Sequence, residues 1–132
     1  MLDPDRALYH RLGGYDAVAA FVDELLGRLL RDPQLAPYWR GKCLESLRKD
    51  RQLLVDFLAM ATGGPVFYFG RDMKTSHAGL GISETEWTSF MAHAEAVLDD
   101  LGAAEPERSE VLALAEGWRT EIVEKRGTAT GS

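Results

Sequence analysis

Cysteine and histidine are the residues of this sequence best suited to bind a metal, and they are few. The chain of 132 residues contains one cysteine, Cys43, and three histidines, His10, His77 and His93. A structural zinc site takes about four nitrogen, sulfur or oxygen ligands. No Cys/His cluster in this sequence offers such a set. Any metal chemistry must therefore depend on a group that needs only one ligand from the protein.

The positions of the histidines separate them. His10 lies close to the N-terminus, where a solvated side chain is expected, and His93 lies off the apolar stripe of a predicted helix. His77 lies between two glycine-bounded segments, and the apolar Leu80 and Ile82 follow it. Haem brings four nitrogens of its own, so a single imidazole would suffice as the protein ligand. From the residues alone, His77 is either a haem ligand or a structural histidine.

The elements that must position His77 are helices. Apolar residues recur at helical spacing in the long segments, and no strand alternation is long enough to build a sheet. The sequence therefore predicts an all-α fold. Its apolar stripes are Val18, Phe21, Val22, Leu25, Leu26 and Leu29; Leu44, Leu47, Leu54, Phe57, Leu58 and Ala61; Trp87, Phe90, Met91, Ala94, Val97, Leu98 and Leu101; and Val111, Leu114, Ala115, Trp118 and Ile122.

Local signals predict where these helices begin and end. The run Ser83 to Glu86 is a capping box, which predicts the start of a helix. The run Gly63-Gly64-Pro65 predicts the end of the helix that contains Leu54. Asp32 followed by Pro33 predicts an N-cap and the first position of a short helix through Tyr38 and Trp39. Pro106 predicts the start of the last helix.

Composition bounds the remaining classes. The length suits one domain, predicted over residues 1–125 and followed by a flexible tail over 126–132. The net charge is −6, and no basic stripe with interleaved aromatics indicates nucleic-acid binding. No apolar run of about 18 residues predicts a membrane span. A single cysteine and the absence of a leader pattern favour the cytoplasm.

Several motifs, in this order and spacing, resemble the group I truncated haemoglobins, whose fold is a two-over-two helical sandwich around haem. The resemblance runs from about residue 8 to residue 123. The segment from Gly63 to Ile82 is its most specific part. The matching motifs are LYHRLGG at 8–14, FVDELLGRLLRDP at 21–33, GGP at 63–65, YFGRDM at 68–73 and HAGLGI at 77–82.

The resemblance implies haem b as cofactor and His77 as the proximal ligand of its iron. It also implies contacts with the macrocycle from Trp39, Leu54, Leu58, Tyr68, Arg71, Met73, Ile82 and Phe90. The haem propionates are expected to pair with cations or to accept hydrogen bonds from hydroxyls at the pocket edge. The candidates are Tyr68, Arg71 and Lys74, although each side chain could equally be solvated. Trp87 and Phe90 could also be plain core residues.

The predicted ligand side departs from the family pattern. Group I members typically carry a tyrosine next to a phenylalanine on the second helix, and the tyrosine donates a hydrogen bond to bound oxygen. This sequence has Leu25 and Leu26 at those two positions. The predicted ligand pocket is Leu26, Tyr38, Asp50 and Leu54. The segment between Trp39 and Gly63 is about three residues longer than in some relatives, and a shift of register there would bring Gln52 toward the iron. Either the bound ligand is less polar than oxygen, or Trp39, Tyr38 or Gln52 supplies the hydrogen bond.

The resemblance implies reversible binding of a diatomic gas, O₂, NO or CO, at five-coordinate iron, as in oxygen transport. The resemblance also implies NO dioxygenation with an external reductase. The missing tyrosine weakens this second implication. Two alternatives stay open. One is electron transfer or gas sensing with an internal sixth ligand such as Lys49 or His10; the other is a helical interaction module that has lost haem. We expect a monomer or weak dimer.

Overall fold

A computed structural model describes residues 7–66, 68, 70, 74 and 77–124 of the chain. Its helices are α1 (Leu8–Leu12), α2 (Tyr15–Arg31), a 3₁₀ helix (Ala36–Trp39), α3 (Leu44–Ala61), α4 (Glu84–Asp100), α5 (Glu107–Glu116) and α6 (Arg119–Ile122). The described residues contain no β-strand, which confirms the all-α prediction. Helix α2 packs against both α3 and α4, and α4 packs against α5.

Helix α2 is central because its apolar residues lie on one face. Val18, Val22, Leu25 and Leu29 are all buried, at the spacing of three and four residues that aligns side chains along a helix. Its N-terminal part packs with α3 around Val18, Val22, Val55 and Ala59. Its C-terminal part packs with α4 around Leu25, Leu29, Ala94 and Val97. The two clusters place α3 and α4 on either side of α2.

Paired glycines lie at two sharp corners of the chain. Gly13 and Gly14, with φ of 117° and 84°, turn the chain from α1 into α2. At the end of α3, a β-carbon on Gly64 would lie 2.6 Å from the ring of Tyr9. The Tyr9 backbone N–H donates to the Thr62 carbonyl at 2.8 Å. These contacts fasten α1 to the end of α3.

The capping box at the start of α4 is confirmed. The Ser83 hydroxyl accepts from the Glu86 backbone N–H, and the Glu86 carboxylate accepts from the Ser83 backbone N–H. Both orphan donors at this helix end are thereby satisfied. The first turn of α4 is therefore held in one conformation.

One predicted helix boundary is wrong. Asp32 is the C-cap of α2, and its carboxylate accepts from the Gln34 backbone N–H in a local turn, so the short helix begins only at Ala36. Pro106 is the N-cap of α5, so the predicted helix start is confirmed to within one residue. The last apolar stripe is divided between two helices, since α5 ends at Glu116 and α6 begins at Arg119. Signals for a turn and for a helix start coincide at Asp32, and the local hydrogen bonds decide between them.

Candidate functional site

A partly open cavity of about 850 Å³ is lined by residues of all the described helices and of the loop after His77. That volume falls within the range of about 300–1,000 Å³ that is typical of sites for cofactor-sized ligands. Its lining is largely aliphatic and aromatic, as an apolar macrocycle requires.

His77 lies on the lining of the cavity. It is helical, as is the exposed Lys74 before it, and its side chain is half-buried. Its backbone carbonyl accepts from the Leu80 N–H at 3.2 Å, which begins the turn into the glycine-rich loop. His77 therefore borders a large and mostly apolar space.

The structure brings the sequence-predicted residues together around one space. Every predicted cofactor or ligand-pocket residue within the described part of the chain lines the cavity, namely Leu26, Tyr38, Trp39, Asp50, Leu54, Leu58, Tyr68, His77, Ile82 and Phe90. Arg71 and Met73 lie outside the described residues. Shared lining supports the predicted roles, but which of these residues contacts a cofactor stays a prediction.

Other lining residues lie on the same helix faces as the predicted ones, and Phe57 was not among the predicted pocket residues. Phe57 is buried, and its ring makes edge contacts with Tyr68 and Trp118 at centroid distances of 5.2 and 5.0 Å. Trp87 is buried and stacks on Phe90 at 5.2 Å. Phe57 follows Leu54 by three residues, so the helical period could have indicated it. Trp87 and Phe90 combine the two roles that the sequence left open, since both pack in the core and line the cavity.

The charged side chains on the lining have ionic or hydrogen-bonding partners within the described residues. The Lys42 ammonium pairs with the Asp50 carboxylate at 2.5 Å. The Arg11 guanidinium contacts Glu107 and Glu110 at 2.9 and 2.7 Å. These partners keep uncompensated charge away from the apolar space, where it would be costly. Asp50, predicted for the ligand pocket, is thus half of an ion pair whose other half the sequence did not indicate.

Tyr38 has its hydroxyl engaged on the cavity lining. Its O–H donates to the Glu86 carboxylate at 2.6 Å. Burial, together with this bond to Glu86, raises the pKa of Tyr38 well above its ordinary value. The phenol therefore stays protonated at neutral pH, with its proton directed to Glu86.

The other two predicted hydrogen-bond donors, Gln52 and Trp39, have different surroundings in the structure. Gln52 is exposed, and its amide donates to Tyr15 and Asp56 at 2.6 and 3.0 Å, so its proposed approach to the pocket is wrong. Trp39 lines the cavity. Among the described residues, none accepts a hydrogen bond from the Trp39 indole N–H. Trp39 is therefore the predicted donor that is both on the lining and still available.

The alternative ligands lie away from the cavity. Lys49 and His10 are exposed, and neither lines it. His93 is partly buried, pairs with the Asp32 carboxylate at 2.7 Å and does not line the cavity. Among residues 7–66, 68, 70, 74 and 77–124, no group of three His, Cys, Asp or Glu side chains could hold a metal ion. Within the same residues, no helix is long and apolar enough to cross a membrane.

Residues 7–124 match the family described as bacterial-like globin. The chain is 34% identical over 106 residues to a group 1 truncated haemoglobin of Mycolicibacterium paratuberculosis, covering 80% of this chain and 76% of the relative. It is 38% identical over 86 residues to one of Nostoc commune, covering 65% and 70%. The fold resembles the truncated haemoglobin of Tetrahymena pyriformis in its Fe(III) form, with a TM-score of 0.83 at 24% identity over 91% and 100% of the two chains. It also resembles THB1 of Chlamydomonas reinhardtii, with a TM-score of 0.74 at 31% identity over 92% and 100%.

Proposed function

We propose that this chain, which belongs to the bacterial-like globin family as a group 1 truncated haemoglobin, holds haem b through His77 and reversibly binds a diatomic gas at the iron. Membership of the family implies haem-based gas binding. The observation that carries the assignment of the ligand is the position of His77 on the lining of one large apolar cavity. His10 and His93, the other histidines, have no such position.

The residues present fit a haem group. The cavity has the volume of a cofactor site, and its lining is mainly aliphatic and aromatic. His77 would supply the nitrogen that binds the iron, and Leu54, Leu58, Ile82 and Phe90 would pack on the macrocycle. When bound, haem supplies an iron centre that takes a gas as a further ligand.

Five-coordinate iron is the form we propose for the resting ferrous protein. The internal ligands considered from the sequence, Lys49 and His10, are both exposed and away from the cavity. The opposite side of the pocket would then be formed by Leu26, Trp39 and Leu54. Asp50 is held at its edge by Lys42.

The affinity of this pocket for CO and NO would depend little on hydrogen bonding. Its affinity for O₂ would depend on hydrogen bonding more strongly. A hydrogen bond that this chain donates to a ligand with partial negative charge would contribute about 1.5–3 kcal/mol. With Tyr38 engaged by Glu86 and Gln52 at the surface, the Trp39 indole is the donor we assign. Oxidation of NO to nitrate would need both a stable oxygen complex and a reductase, so we place it second to gas binding.

Reconstitution with haem tests this proposal. The wild-type chain should give a strong Soret band, and His77→Ala should lose it, whereas His93→Ala, an equivalent change outside the cavity, should keep it. Added imidazole should restore the band to His77→Ala, which separates loss of the ligand from loss of the fold.

Other outcomes contradict particular parts of the proposal. An unchanged band in His77→Ala would show that another residue binds the iron. Absence of a band in the wild-type chain would favour a haem-free helical module. A six-coordinate spectrum of the ferrous wild type without added gas would show that a side chain occupies the sixth position.

A further inference from the structure

Glu124, the last residue described at the C-terminal end, holds the loop that follows His77. Its carboxylate accepts from the Gly79 N–H at 3.0 Å through one oxygen and from the Gly81 N–H at 2.7 Å through the other. Its own backbone N–H donates to the Ile82 carbonyl at 2.8 Å. Three hydrogen bonds from one residue thus join a four-residue stretch of the loop.

The two glycines give the loop the conformation that receives this carboxylate. Gly79 and Gly81 have φ of 85° and 69°, in the left-handed region that other residues rarely adopt. A β-carbon on Gly79 would meet nothing within 4 Å, so this glycine is needed for its backbone angle rather than for space. Successive N–H groups in such turns form a concave site for an anion. Here the anion is the carboxylate of Glu124.

The held loop is continuous with His77. The Leu80 N–H donates to the His77 carbonyl at 3.2 Å, one residue after Gly79 donates to Glu124. Leu80 and Ile82 line the same cavity as His77. Any movement of the loop would therefore move both the backbone of His77 and the apolar lining beside it.

We propose that Glu124 is a positioning residue for His77, fixing the loop so that the imidazole keeps one orientation toward the haem iron. This inference rests on the proposed function, in which His77 is the iron ligand. Residues that orient a metal ligand typically contribute about 10–100-fold in metal affinity. Because the bonds of Glu124 to the loop are exposed to solvent, we expect the lower end of that range.

The test uses the haem-loaded chain and the variants Glu124→Ala and Glu124→Gln. Glutamine keeps one accepting oxygen but cannot accept with its amide nitrogen, so it should retain part of the effect. Glu121→Ala is the matched control, since Glu121 is exposed on α6 and its carboxylate makes no hydrogen bond or ion pair with the described residues of the loop. We expect haem transfer to an acceptor globin to be about tenfold faster in Glu124→Ala, intermediate in Glu124→Gln and unchanged in Glu121→Ala.

The iron–histidine stretching band of the ferrous protein, measured by resonance Raman, distinguishes positioning from general stability. It should shift and broaden in Glu124→Ala, remain near the wild-type position in Glu124→Gln and be unchanged in Glu121→Ala. An unaltered band and unaltered haem transfer in Glu124→Ala would overturn the inference.

Failure of the proposed function would look different. In that case the wild-type chain would lack the Soret band, or the Soret band would persist in His77→Ala. Hydrogen exchange of the Gly79 and Gly81 amides in the haem-free chain tests separately whether Glu124 holds the loop. Faster exchange in Glu124→Ala than in Glu121→Ala would show that Glu124 holds the loop, and equal exchange would overturn the inference whether or not haem binds.

Discussion

The hydroxyl of Tyr38 donates a 2.6 Å hydrogen bond to the carboxylate of Glu86, which also accepts from the Ser83 backbone N–H. This single carboxylate therefore caps α4 and ties the 3₁₀ helix to the first turn of α4. Both residues line the cavity. The relative placement of two elements of the proposed haem pocket thus depends on one shared acceptor.

We expect Tyr38→Phe to destabilise the chain at neutral pH and to alter its response to alkali. Loss of the hydrogen bond should cost about 1 kcal/mol at pH 8. Because the pKa of Tyr38 is raised in the folded chain, its contribution to stability is complete below the unfolded value of about 10 and is lost as the pH rises above it. The wild-type advantage should shrink by up to about 1.4 kcal/mol per pH unit in that range.

Urea unfolding of wild type and Tyr38→Phe at several pH values from 8 to 11 measures this difference. Tyr15→Phe is the control, since the Tyr15 side chain is exposed and accepts a bond from Gln52 outside the cavity. A stability difference between wild type and Tyr38→Phe that does not change with pH would contradict the assigned role of the Tyr38–Glu86 bond.

The fold was predictable from the sequence because its helices are amphipathic and their ends carry strong signals. The stripe of α2 and the capping box at Ser83 depend on residues close in the chain. The local signal at Asp32 misled because an aspartate can either cap a helix start or close a turn. Gln52 misled because α3 is amphipathic, and a small change of register carries a residue from the cavity to the surface. Glu124 could not be predicted, since its partners Gly79 and Gly81 are more than 40 residues away.

Trp39→Phe should speed the release of oxygen from the ferrous protein about tenfold, because it removes the indole N–H from the proposed ligand side. A tenfold change corresponds to about 1.4 kcal/mol, close to the lower end of the range of about 1.5–3 kcal/mol for a hydrogen bond to a charged group. Trp118→Phe, which changes another tryptophan on the lining, should leave release unchanged. Stopped-flow displacement of oxygen measures both rates, and equal rates in wild type and Trp39→Phe would remove Trp39 as the donor.

Leu26→Tyr should slow the release of oxygen relative to Leu26→Phe. Leu26 is half-buried and lines the cavity, so an aromatic ring can enter the existing space. The two variants differ only by the hydroxyl, which isolates the hydrogen bond from the added bulk. We expect a difference of about tenfold or more for oxygen and a much smaller one for CO, because the bond acts on the charge of bound oxygen. Equal rates for the two variants would show that position 26 does not face the bound gas.

Gly64→Ala should destabilise the chain, whereas Gly27→Ala should stabilise it. A β-carbon on Gly64 would lie 2.6 Å from the buried ring of Tyr9, so the junction between α1 and α3 must shift, at a cost of about 1–3 kcal/mol. Gly27 lies inside α2, where the nearest atom to a β-carbon is 3.5 Å away on the flexible Arg31 side chain. Alanine there should gain about 0.5–1 kcal/mol by restricting the unfolded chain. Thermal unfolding of both variants measures the changes, and a neutral Gly64→Ala would show that α1 is not packed against the end of α3 as described.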